Sequence, residues 1–479
     1  MRFAFPLVLD PVAPSIQRAL YDALRAAILE GRLSSGARLP SSRALGSELG
    51  LARGTVVAAY EQLAGEGYVV TRAGSGTVVA ADLPDRWFAA PAARKPGPLP
   101  SARRIVRVPP TPFPVRAGKT PRPFRAHVPA VDVFPIELWG RLVARRARRD
   151  EGLFLDDSDV RGYLPLREVL AEHLRVARGV VCDADHVVIV PSAQQIIDVV
   201  ARLVVRPGDE VVIEDPGYVG ARAALAEHGA KLVPVPVDEL GLVVSKLPSL
   251  PHRVKLVYVT PAHQEPLGTT MSVDRRLALL SWATAHGAFV LEDDYDGEFR
   301  YEGRPVPALQ GLDRAGVVVH AGTFSKSMLP SLRLAYAVLP DALLEPFLAT
   351  KTLLDRFTPV LMQAALADFI AGGHFERHLR RMRPLYAERR AALVRALDGE
   401  IAGAKAGIDL TLRLPPGVDD VALAAKLAAV GIDTLALSPS GILERASGLV
   451  LGFAAFSPAR LVKVARVLVD IVSAEDGSG

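Results

Sequence analysis

Cysteine is nearly absent from this sequence of 479 residues, and long apolar runs are absent altogether. The single cysteine, Cys182, cannot form a disulfide within the chain. No uninterrupted apolar run approaches the roughly 20 residues that span a bilayer, so we do not expect a membrane protein. The first residues, MRFAFPLVLDP, have neither the basic start nor the long apolar core of a signal peptide. We therefore expect a cytoplasmic protein.

Charges of both signs are present, but they are unevenly distributed. Residues 1–125 contain 18 Lys and Arg against 8 Asp and Glu, a net charge of +10, and because the whole chain carries +5, the remainder carries −5. Half of the residues are apolar and 23% are charged, which is typical of globular proteins. The length favours two or more domains. The basic N-terminal part predicts a polyanionic partner for that part alone.

The N-terminal part has the pattern of three helices followed by a hairpin. Apolar residues recur at every fourth position of PSIQRALYDALRAAILE, as on the buried face of an amphipathic helix. Ser41 or Ser42 can cap a second helix, and Thr55 is expected to cap a third. The stretch YVVTRAGSGTVVA then predicts two strands around a glycine turn. This order indicates a winged helix-turn-helix, which we place at residues 12–81.

Four residues of this domain are candidates for DNA contact. Arg53 and Thr55 lie near the start of the third helix, where a recognition helix meets base edges in the major groove. Arg43, at the start of the second helix, can reach a phosphate, and Arg72 beside the hairpin turn can reach a phosphate or the minor groove. The alternative is a helical surface whose arginines are only solvated. The three-part pattern and the net charge of +10 favour DNA binding.

A stretch rich in Pro and Arg, residues 82–124, is predicted to be a long extended linker. Beyond it, residues 125–475 alternate helical segments with short apolar runs, namely VVIV, VVIE, KLVYVT, FVLEDD and VVVH. That alternation predicts an α/β domain with a largely parallel sheet. Ligands of such domains gather at the carboxyl ends of the strands, and the candidate residues below follow these runs.

One such end carries the segment HAGTFSKSMLPSLRLAY, in which Lys326 follows an apolar run. A lysine acts as a Schiff-base nucleophile when part of its population is neutral, which burial favours. Thr323, Ser325 and Arg333 can hold a phosphate beside it, so the loop suits pyridoxal 5′-phosphate (PLP). On this motif alone, the alternative is a surface lysine in a turn.

The segment FVLEDDYDGEFRY offers the two other groups that a PLP site requires. Asp293 and Tyr295 are two residues apart, so on an extended segment their side chains point the same way. The carboxylate could keep the pyridine nitrogen protonated, and the phenol could hydrogen-bond to O3′ of the ring. The alternative, an acidic surface loop, agrees poorly with the preceding apolar run.

Three further loops complete the set of cofactor-binding candidates. In PSAQQIIDVV, the hydroxyl of Ser192 and the amides of Ala193 and Gln194 begin a helix that can bind a phosphate. Tyr218, in EDPGYVG, could stack on the pyridine ring or pack as an ordinary tyrosine. In TPAHQEPLG, His263 and the glutamine after it are within reach of O3′ or a substrate carboxylate, or are turn residues. We predict no metal site.

These stretches resemble a known family. The segment from LRAAILEGRL to GSGTVV is similar to a GntR-type winged helix-turn-helix. Five further segments resemble fold type I PLP enzymes of the aspartate aminotransferase superfamily. They are RGYLPLREVLAEHL, EDPGYVGARAAL, YVTPAHQEPLGTTMSVDRRLALL, EDDYDGEFRY and TFSKSMLPSLRLAY. The whole chain therefore resembles the MocR-type transcriptional regulators, in which an α+β winged helix-turn-helix is joined by a long linker to an α/β aminotransferase-like domain.

The resemblance implies roles for single residues. Lys326 would form the Schiff base with PLP, Asp293 would pair with the pyridinium, and Tyr295 would bond to O3′. Arg333 and Thr323 would bind the phosphate. The resemblance also implies double-stranded operator DNA as a partner, with PLP, an amino acid or an amine as effector. It implies a homodimer in which each DNA-binding domain packs on the partner's aminotransferase-like domain.

Two features depart from the family pattern. Glu265 stands where an aromatic or apolar residue is usual, and it adds negative charge beside the expected carboxylate site. The strand GLVLGFAAF lacks the arginine with which true aminotransferases bind a substrate carboxylate, and Arg445 just upstream is the candidate for that role. We therefore expect a PLP-responsive regulator. The alternatives are a working aminotransferase with a fused DNA-binding domain, and a DNA-binding protein whose PLP fold serves only for dimerisation.

Overall fold

The computed structural model contains two compact units, one within residues 7–83 and one within residues 121–476. The described residues are 7–72, 76–83, 121–149, 159–249, 253–301, 306–397, 399, 401–403, 405–443 and 445–476. Most of the predicted linker, residues 84–120, therefore lies outside the described residues. Within the described residues, no helix combines the length and the apolar character that a membrane span requires.

The N-terminal unit has three helices and a hairpin, in the predicted order. Its elements are α1 (Ile16–Leu29), α2 (Ser42–Leu49), α3 (Arg53–Gly65), β1 (Val69–Arg72) and β2 (Gly76–Val79). The two strands pair antiparallel. The helices enclose a core of fully buried side chains that includes Leu20, Leu24, Leu45, Val56 and Leu63. This architecture is a winged helix-turn-helix.

The turn between α2 and α3 depends on two glycines. Ser41 caps α2, because its hydroxyl accepts from the Ala44 amide at 3.2 Å. Gly50 ends α2 in the left-handed conformation, with φ +67°. A Cβ atom at Gly46 would lie 2.8 Å from the Leu51 carbonyl oxygen, so this close approach requires glycine.

The third helix begins earlier than the sequence predicts. Thr55 is not its cap, because α3 begins at Arg53 and Ala52 occupies the capping position without a side-chain hydrogen bond. The Leu51 amide closes the turn on the Gly46 carbonyl oxygen at 2.8 Å. Ala52 is consequently the last extended residue, and Thr55 lies within the first turn of the helix.

Eight strands of the described chain form the large sheet of the C-terminal unit. They are β3 (Val187–Val190), β4 (Glu210–Asp215), β5 (Lys231–Asp238), β6 (Gly241–Leu242), β7 (Val254–Val259), β8 (Phe289–Asp294), β9 (Val318–Thr323) and β10 (Ala335–Val338). Their order is β3-β10-β9-β8-β7-β4-β5-β6. Only β10 and the short β6 run against the other strands. The prediction of a largely parallel sheet is confirmed.

Helices cover both faces of this sheet. The helices of the C-terminal unit are α4 (Ile136–Arg149), α5 (Leu164–Arg178), α6 (Ala193–Val204), α7 (Val219–Glu227), α8 (Val273–His286), α9 (Leu309–Leu312), α10 (Phe324–Ser327), α11 (Asp341–Asp355), α12 (Val360–Ala371), α13 (His374–Ala396), α14 (Asp420–Ala429) and α15 (Pro458–Asp476). Alternate residues of β3 belong to different buried clusters: Val187 and Ile189 to one, Val188 and Val190 to another. Since successive side chains of a strand point to opposite faces, both faces are buried.

A second, antiparallel sheet lies in the last third of the chain. Its strands are β11 (Ile401–Ala402), β12 (Asp409–Arg413), β13 (Leu435–Ala436) and β14 (Gly448–Gly452), in the order β11-β12-β14-β13. Phe124 is fully buried and bridges to Gly452 in β14. The last described residues of the expected linker therefore pack on this unit.

Leu63→Ala should destabilise the N-terminal unit without affecting the C-terminal unit. Leu63 is fully buried among the three helices, so its truncation should lower the free energy of unfolding of that unit by about 2 to 5 kcal/mol. Scanning calorimetry of the full chain would measure this change. Leu29→Ala is the control, because that side chain is 41% exposed. An unchanged melting profile for Leu63→Ala would contradict this assignment of the core.

Candidate functional site

The side chains predicted around Lys326 lie at the carboxyl ends of five parallel strands. The positions are Ser192 after β3, Tyr218 after β4, His263 after β7, Asp293 in β8 and Lys326 after β9. Parallel strands end at a common edge of their sheet, which is where α/β proteins bind their ligands. The fold therefore groups residues that are distant in sequence.

Lys326 lies in the short helix α10, directly after β9. The Thr323 hydroxyl caps this helix and accepts from the Ser325 amide at 3.1 Å. The Lys326 ammonium donates to the His127 carbonyl oxygen at 3.3 Å. Burial lowers the pKa of Lys326, although the surrounding carboxylates act in the opposite direction. A lowered pKa increases the neutral fraction of the amine, which is the nucleophilic form.

Asp293 has one satisfied and one unsatisfied carboxylate oxygen. The residue is 5% exposed at the end of β8. Its Oδ2 accepts from the Tyr258 hydroxyl at 2.7 Å, whereas Oδ1 is buried and has no hydrogen-bond partner in the described part of the chain. Burial raises the pKa of Asp293 to about 6, against the effect of the Tyr258 hydrogen bond. A protonated ring nitrogen would satisfy the free oxygen.

Tyr295 lies just beyond the end of β8, in contact with His263. Its hydroxyl is 3.0 Å from His263 Nδ1 and donates to Glu265 Oε2 at 3.1 Å. Asp296 Oδ2 is also 3.0 Å from His263 Nδ1. Burial favours the neutral imidazole, but Asp296, Glu265 and Asp409 together outweigh burial and raise the pKa of His263. Of the adjacent residues His263 and Gln264, it is therefore His263 whose side chain contacts Tyr295.

The neighbouring Gln264 supports the backbone of its own loop. Its side-chain amide donates to the carbonyl oxygens of Pro216 at 2.8 Å and of Glu265 at 2.7 Å. Its side-chain oxygen accepts from the Leu267 amide at 3.0 Å. The sequence leaves open whether Gln264 contacts a ligand or is a turn residue, and these hydrogen bonds favour the turn residue.

Two residues near Lys326, His127 and Asp409, are not among the predicted site residues. His127 Nδ1 is 2.8 Å from Asp409 Oδ2, and His127 Nε2 is 3.5 Å from Glu265 Oε1. Burial alone would lower the pKa of His127, but Glu265 and Asp409 outweigh it and raise that pKa. The two residues are 282 positions apart. The available sequence signal is an aspartate at the start of the apolar run of β12.

The start of α6 has the features of an anion-binding site. The Ser192 hydroxyl caps the helix and accepts from the Gln195 amide at 3.2 Å. The amides of Ala193 and Gln194 belong to the first turn, whose N–H groups lack acceptors within the helix. The helix dipole favours an anion at this end. These backbone groups could therefore bind a phosphate, as the sequence predicts.

The other predicted phosphate ligands lie beside Lys326. The hydroxyls of Thr323 and Ser325 are 3.1 Å apart at the end of β9. Arg333 follows the turn Pro330–Leu332 and adopts a left-handed conformation with φ +50°. Its side chain is exposed, so its guanidinium can be reached by an anion.

Tyr218 forms one wall of a cavity that Tyr258 also lines. Its ring lies 6.5 Å from the Tyr258 ring, at an interplanar angle of 28°, and its hydroxyl donates to Gln194 Oε1 at 3.4 Å. The cavity is lined by Ile213, Glu214, Gly217, Tyr218, Arg222, Tyr258 and Ser440. The Tyr218 ring offers an aromatic face on which a planar ring could stack.

The predicted DNA-binding residues of the N-terminal unit lie at the starts of two helices. Arg43 is exposed in the first turn of α2, and Arg53 is exposed as the first residue of α3. Thr55 is half-buried in the first turn of α3. Two cations are therefore accessible at the helix ends that meet DNA in this fold.

The hairpin adds one basic residue that was not predicted. Arg72 ends β1 opposite Gly76, and its side chain lies outside the described residues. Arg38 is exposed and approaches the same turn, because a Cβ atom at Gly76 would lie 3.1 Å from its Nε atom. The wing therefore carries Arg38, whose only local sequence signal is its charge.

The fold and the pocket define a class of protein, a winged helix-turn-helix joined to a fold type I aminotransferase-like domain. Residues 16–79 match the gntR family of bacterial regulatory proteins, and residues 142–467 match the aminotransferase class I and II family.

Full-length relatives share this combination. The chain is 38% identical to the probable rhizopine catabolism regulatory protein MocR of Rhizobium meliloti, over 94% of this chain and 93% of that protein. It is 35% identical to the transcriptional regulator TauR of Rhodobacter capsulatus, over 95% and 96% of the two chains. It is 32% identical to the pyridoxine biosynthesis transcriptional regulator PdxR of Corynebacterium glutamicum, over 98% of each. The chain belongs to the MocR-type subfamily of GntR transcriptional regulators.

Solved structures similar to this chain are aminotransferases. LysN, the α-aminoadipate aminotransferase of Thermus thermophilus complexed with N-(5′-phosphopyridoxyl)-L-leucine, has a TM-score of 0.68 and 27% identity, and the match covers 73% of this chain and 92% of that chain. An archaeal alanine:glyoxylate aminotransferase has a TM-score of 0.70 and 26% identity, over 74% and 92%.

PLP is the cofactor of this fold class, and the residues present fit it. Asp293 Oδ1 lacks the hydrogen-bond partner that a pyridinium N–H would provide. Lys326 is the amine next to the Thr323 hydroxyl, at the end of the adjacent strand. The Tyr218 ring and the start of α6 lie at the same sheet edge and provide an aromatic surface and an anion site.

Asp293→Asn should stabilise the cofactor-free protein at pH 8. The pKa of Asp293 is raised to about 6 in the folded state, so the folded state binds this proton more tightly than the unfolded chain. Stability therefore falls as pH rises from about 4 to about 6. Asparagine removes this loss and can still accept from Tyr258. We expect a gain of roughly 1 to 3 kcal/mol at pH 8 that largely disappears at pH 4.5.

Urea unfolding of cofactor-free wild type and variant at the two pH values would measure this gain. Asp470→Asn is the matched control, because that aspartate is exposed on α15. A gain of equal size at both pH values would show that the stabilisation does not come from the buried charge. Asp293→Asn should also weaken PLP binding, which titration of the protein with the cofactor would measure.

Proposed function

We propose that this regulator binds operator DNA through its N-terminal unit and adjusts that binding to what occupies the pocket around Lys326. The observation that carries this proposal is Asp293 Oδ1, which is buried without a hydrogen-bond partner in the described part of the chain. The positive charge of Lys326 favours the ionised form of this carboxylate. A buried carboxylate without a partner destabilises the folded protein. A ligand that donates a hydrogen bond to this oxygen therefore stabilises the folded C-terminal unit.

PLP, when bound, supplies an electrophilic carbon with which a primary amine can combine. In our proposal Lys326 is the resident amine, and its lowered pKa provides the neutral form. Asp293 holds the positive charge on the ring nitrogen. The pair of Tyr295 and His263, 3.0 Å apart, holds or moves a proton at the ring hydroxyl.

Phosphate binding would come from two parts of the pocket. The backbone of Ala193 and Gln194, at the start of α6, offers N–H donors with the favourable end of the helix dipole. Thr323 and Ser325 offer hydroxyls, and Arg333 offers a permanent positive charge. These amides and hydroxyls lie at the carboxyl ends of their strands, β3 and β9, and could bind the same phosphate.

Efficient transamination is the second candidate function, and the pocket gives it weaker support. Lys326 and Asp293 are in place for it. However, Arg445 is exposed, and its charge acts on Arg222, whose guanidinium donates to the Pro439 carbonyl oxygen at 2.6 Å. An exposed arginine gives little support for a dedicated ligand of a substrate carboxylate. Sensing requires only binding, so it does not depend on this arginine.

Coupling to DNA requires that the ligand bind one arrangement of the protein better than another. We propose a homodimer in which each DNA-binding domain packs on the partner's aminotransferase-like domain. In this arrangement, occupation of the pocket could change the spacing of the two DNA-binding domains. Operator half-sites are read at a fixed spacing, so a change of spacing alters affinity. The effector would be PLP itself or an amino acid or amine.

Lys326→Ala should abolish covalent attachment of PLP and leave non-specific DNA binding intact, because the lysine and the DNA-binding helices belong to separate units. Borohydride reduction followed by intact-protein mass spectrometry would detect the covalent cofactor. Filter binding to non-operator DNA would measure the second property. Lys231→Ala, which removes an exposed lysine of β5, is the control. Loss of both properties in Lys326→Ala would contradict this separation.

Arg53→Ala should weaken operator binding by about 1 to 3 kcal/mol if the exposed side chain contacts a base edge. Binding to non-operator DNA should fall less, because most of that affinity comes from phosphate contacts. Gel-shift titrations at fixed salt would measure both affinities. Arg202→Ala, on α6 of the other unit, is the control. Operator affinity equal to that of wild type would remove Arg53 from the recognition surface.

A further inference from the structure

We propose that the pocket selects a primary amine that carries a second positive charge and no carboxylate, such as an aliphatic diamine. This inference rests on the proposed function, because it names the ligand class of the same pocket. It differs from the amino acids that the aminotransferase fold usually handles, and it follows from the charges around Lys326.

Carboxylates dominate the surroundings of Lys326. Four of them act on its charge, namely Asp409, Glu265, Asp296 and Asp293. Asp409 and Asp293 are each 5% exposed, and Asp296 is 1% exposed. Solvent therefore screens these charges poorly, and a cation placed among them is favoured.

The cations that face these carboxylates within the described residues are few. Apart from Lys326, they are His127, which contacts Asp409 and Glu265, and His263, which contacts Asp296. Imidazolium is not a permanent charge, unlike an arginine. Within the described residues, the four carboxylates are thus faced by one lysine and two imidazoles.

Unsatisfied hydrogen-bonding atoms point to the same ligand. Asp296 Oδ1 is buried without a hydrogen-bond partner in the described part of the chain, as is Asp293 Oδ1. A pyridinium would use the oxygen of Asp293, but Asp296 Oδ1 would still lack a donor. An ammonium group, with three donors and a positive charge, complements such acceptors, whereas a carboxylate would add a like charge.

The arginines that line the cavities beside Tyr218 and His263 are engaged elsewhere. Arg222 donates to the Pro439 carbonyl oxygen. Arg178 forms a buried ion pair with Asp294 at 2.7 Å, and Arg300 donates to the Thr270 hydroxyl at 3.1 Å. Each of these guanidinium groups is thus held by an acceptor of the protein.

Glu265 is the residue to which we assign the second ammonium. Its Oε2 accepts from the Tyr295 hydroxyl and its Oε1 lies 3.5 Å from His127 Nε2. When the Tyr295 hydroxyl bonds to the cofactor, Glu265 Oε2 loses its donor and can accept from the ligand. Glu265 also departs from the residue type usual in this family, so it gives this chain a selectivity of its own.

Three ligands of equal chain length test the charge preference: 1,4-diaminobutane, butylamine and 4-aminobutanoate. Each would be titrated into the PLP-loaded protein, with calorimetry and cofactor absorption as readouts. We expect the diamine to bind about tenfold or more tightly than butylamine, and 4-aminobutanoate to bind least. Binding of 4-aminobutanoate as tight as that of the diamine would overturn the inference, and so would binding of none of the three.

Glu265→Gln tests the residue assignment with nearly unchanged shape. We expect it to reduce the preference for diamine over butylamine about tenfold, with butylamine affinity nearly constant. Glu239→Gln removes an exposed carboxylate after β5 and should keep the wild-type preference. A full preference in Glu265→Gln would overturn the role of Glu265. Wild-type protein that does not take up PLP would overturn the proposed function itself, whereas uptake with the wrong ligand order would overturn only this inference.

Discussion

The shared direction of β3, β4, β7, β8 and β9 within one sheet is the constraint on which the whole pocket depends. Parallel strands end at one edge of a sheet, so loops that are far apart in sequence converge there. Both faces of this sheet are buried, and a one-residue slip of β3 would move Val188 and Val190 to the opposite face. The edge is therefore held rigidly, and Asp293 keeps an unsatisfied oxygen that a loop free to move would turn toward water.

This constraint also explains how much of the pocket could be predicted from sequence. An apolar run followed by polar residues is a local pattern, so Lys326 and its companions at strand ends could be found. The contact between His127 and Asp409 joins residues 282 positions apart, and it depends on packing that no local pattern records. His263 and Gln264 are adjacent, yet the turn of their loop assigns one to the pocket and the other to backbone carbonyls.

In the DNA-binding unit, the order of elements could be predicted, but the start of the third helix could not. Threonine is a better capping residue than alanine, so Thr55 was the natural choice. The close approach of Gly46 to Leu51 ends the turn sooner and leaves Ala52 at the cap. Tertiary contact thus overrides local preference. In our proposal this start bears on DNA binding, because Arg53 becomes the first residue of the helix, where cations and backbone amides both favour phosphate.

Sensing and catalysis make different demands on a pocket rich in carboxylates. An enzyme must bind the transition state more tightly than the substrate, whereas a regulator needs only a ligand that prefers one arrangement of the protein. Ionised Asp293 destabilises the empty pocket, and a positively charged ring removes that cost; Glu265 and Asp296 would act in the same way on a second cation. Coupling energies in regulated proteins are typically about 1 to 3 kcal/mol. Relieving the buried charge of Asp293 is worth about 1 to 3 kcal/mol, as its raised pKa implies, so the pocket can drive such coupling without any turnover.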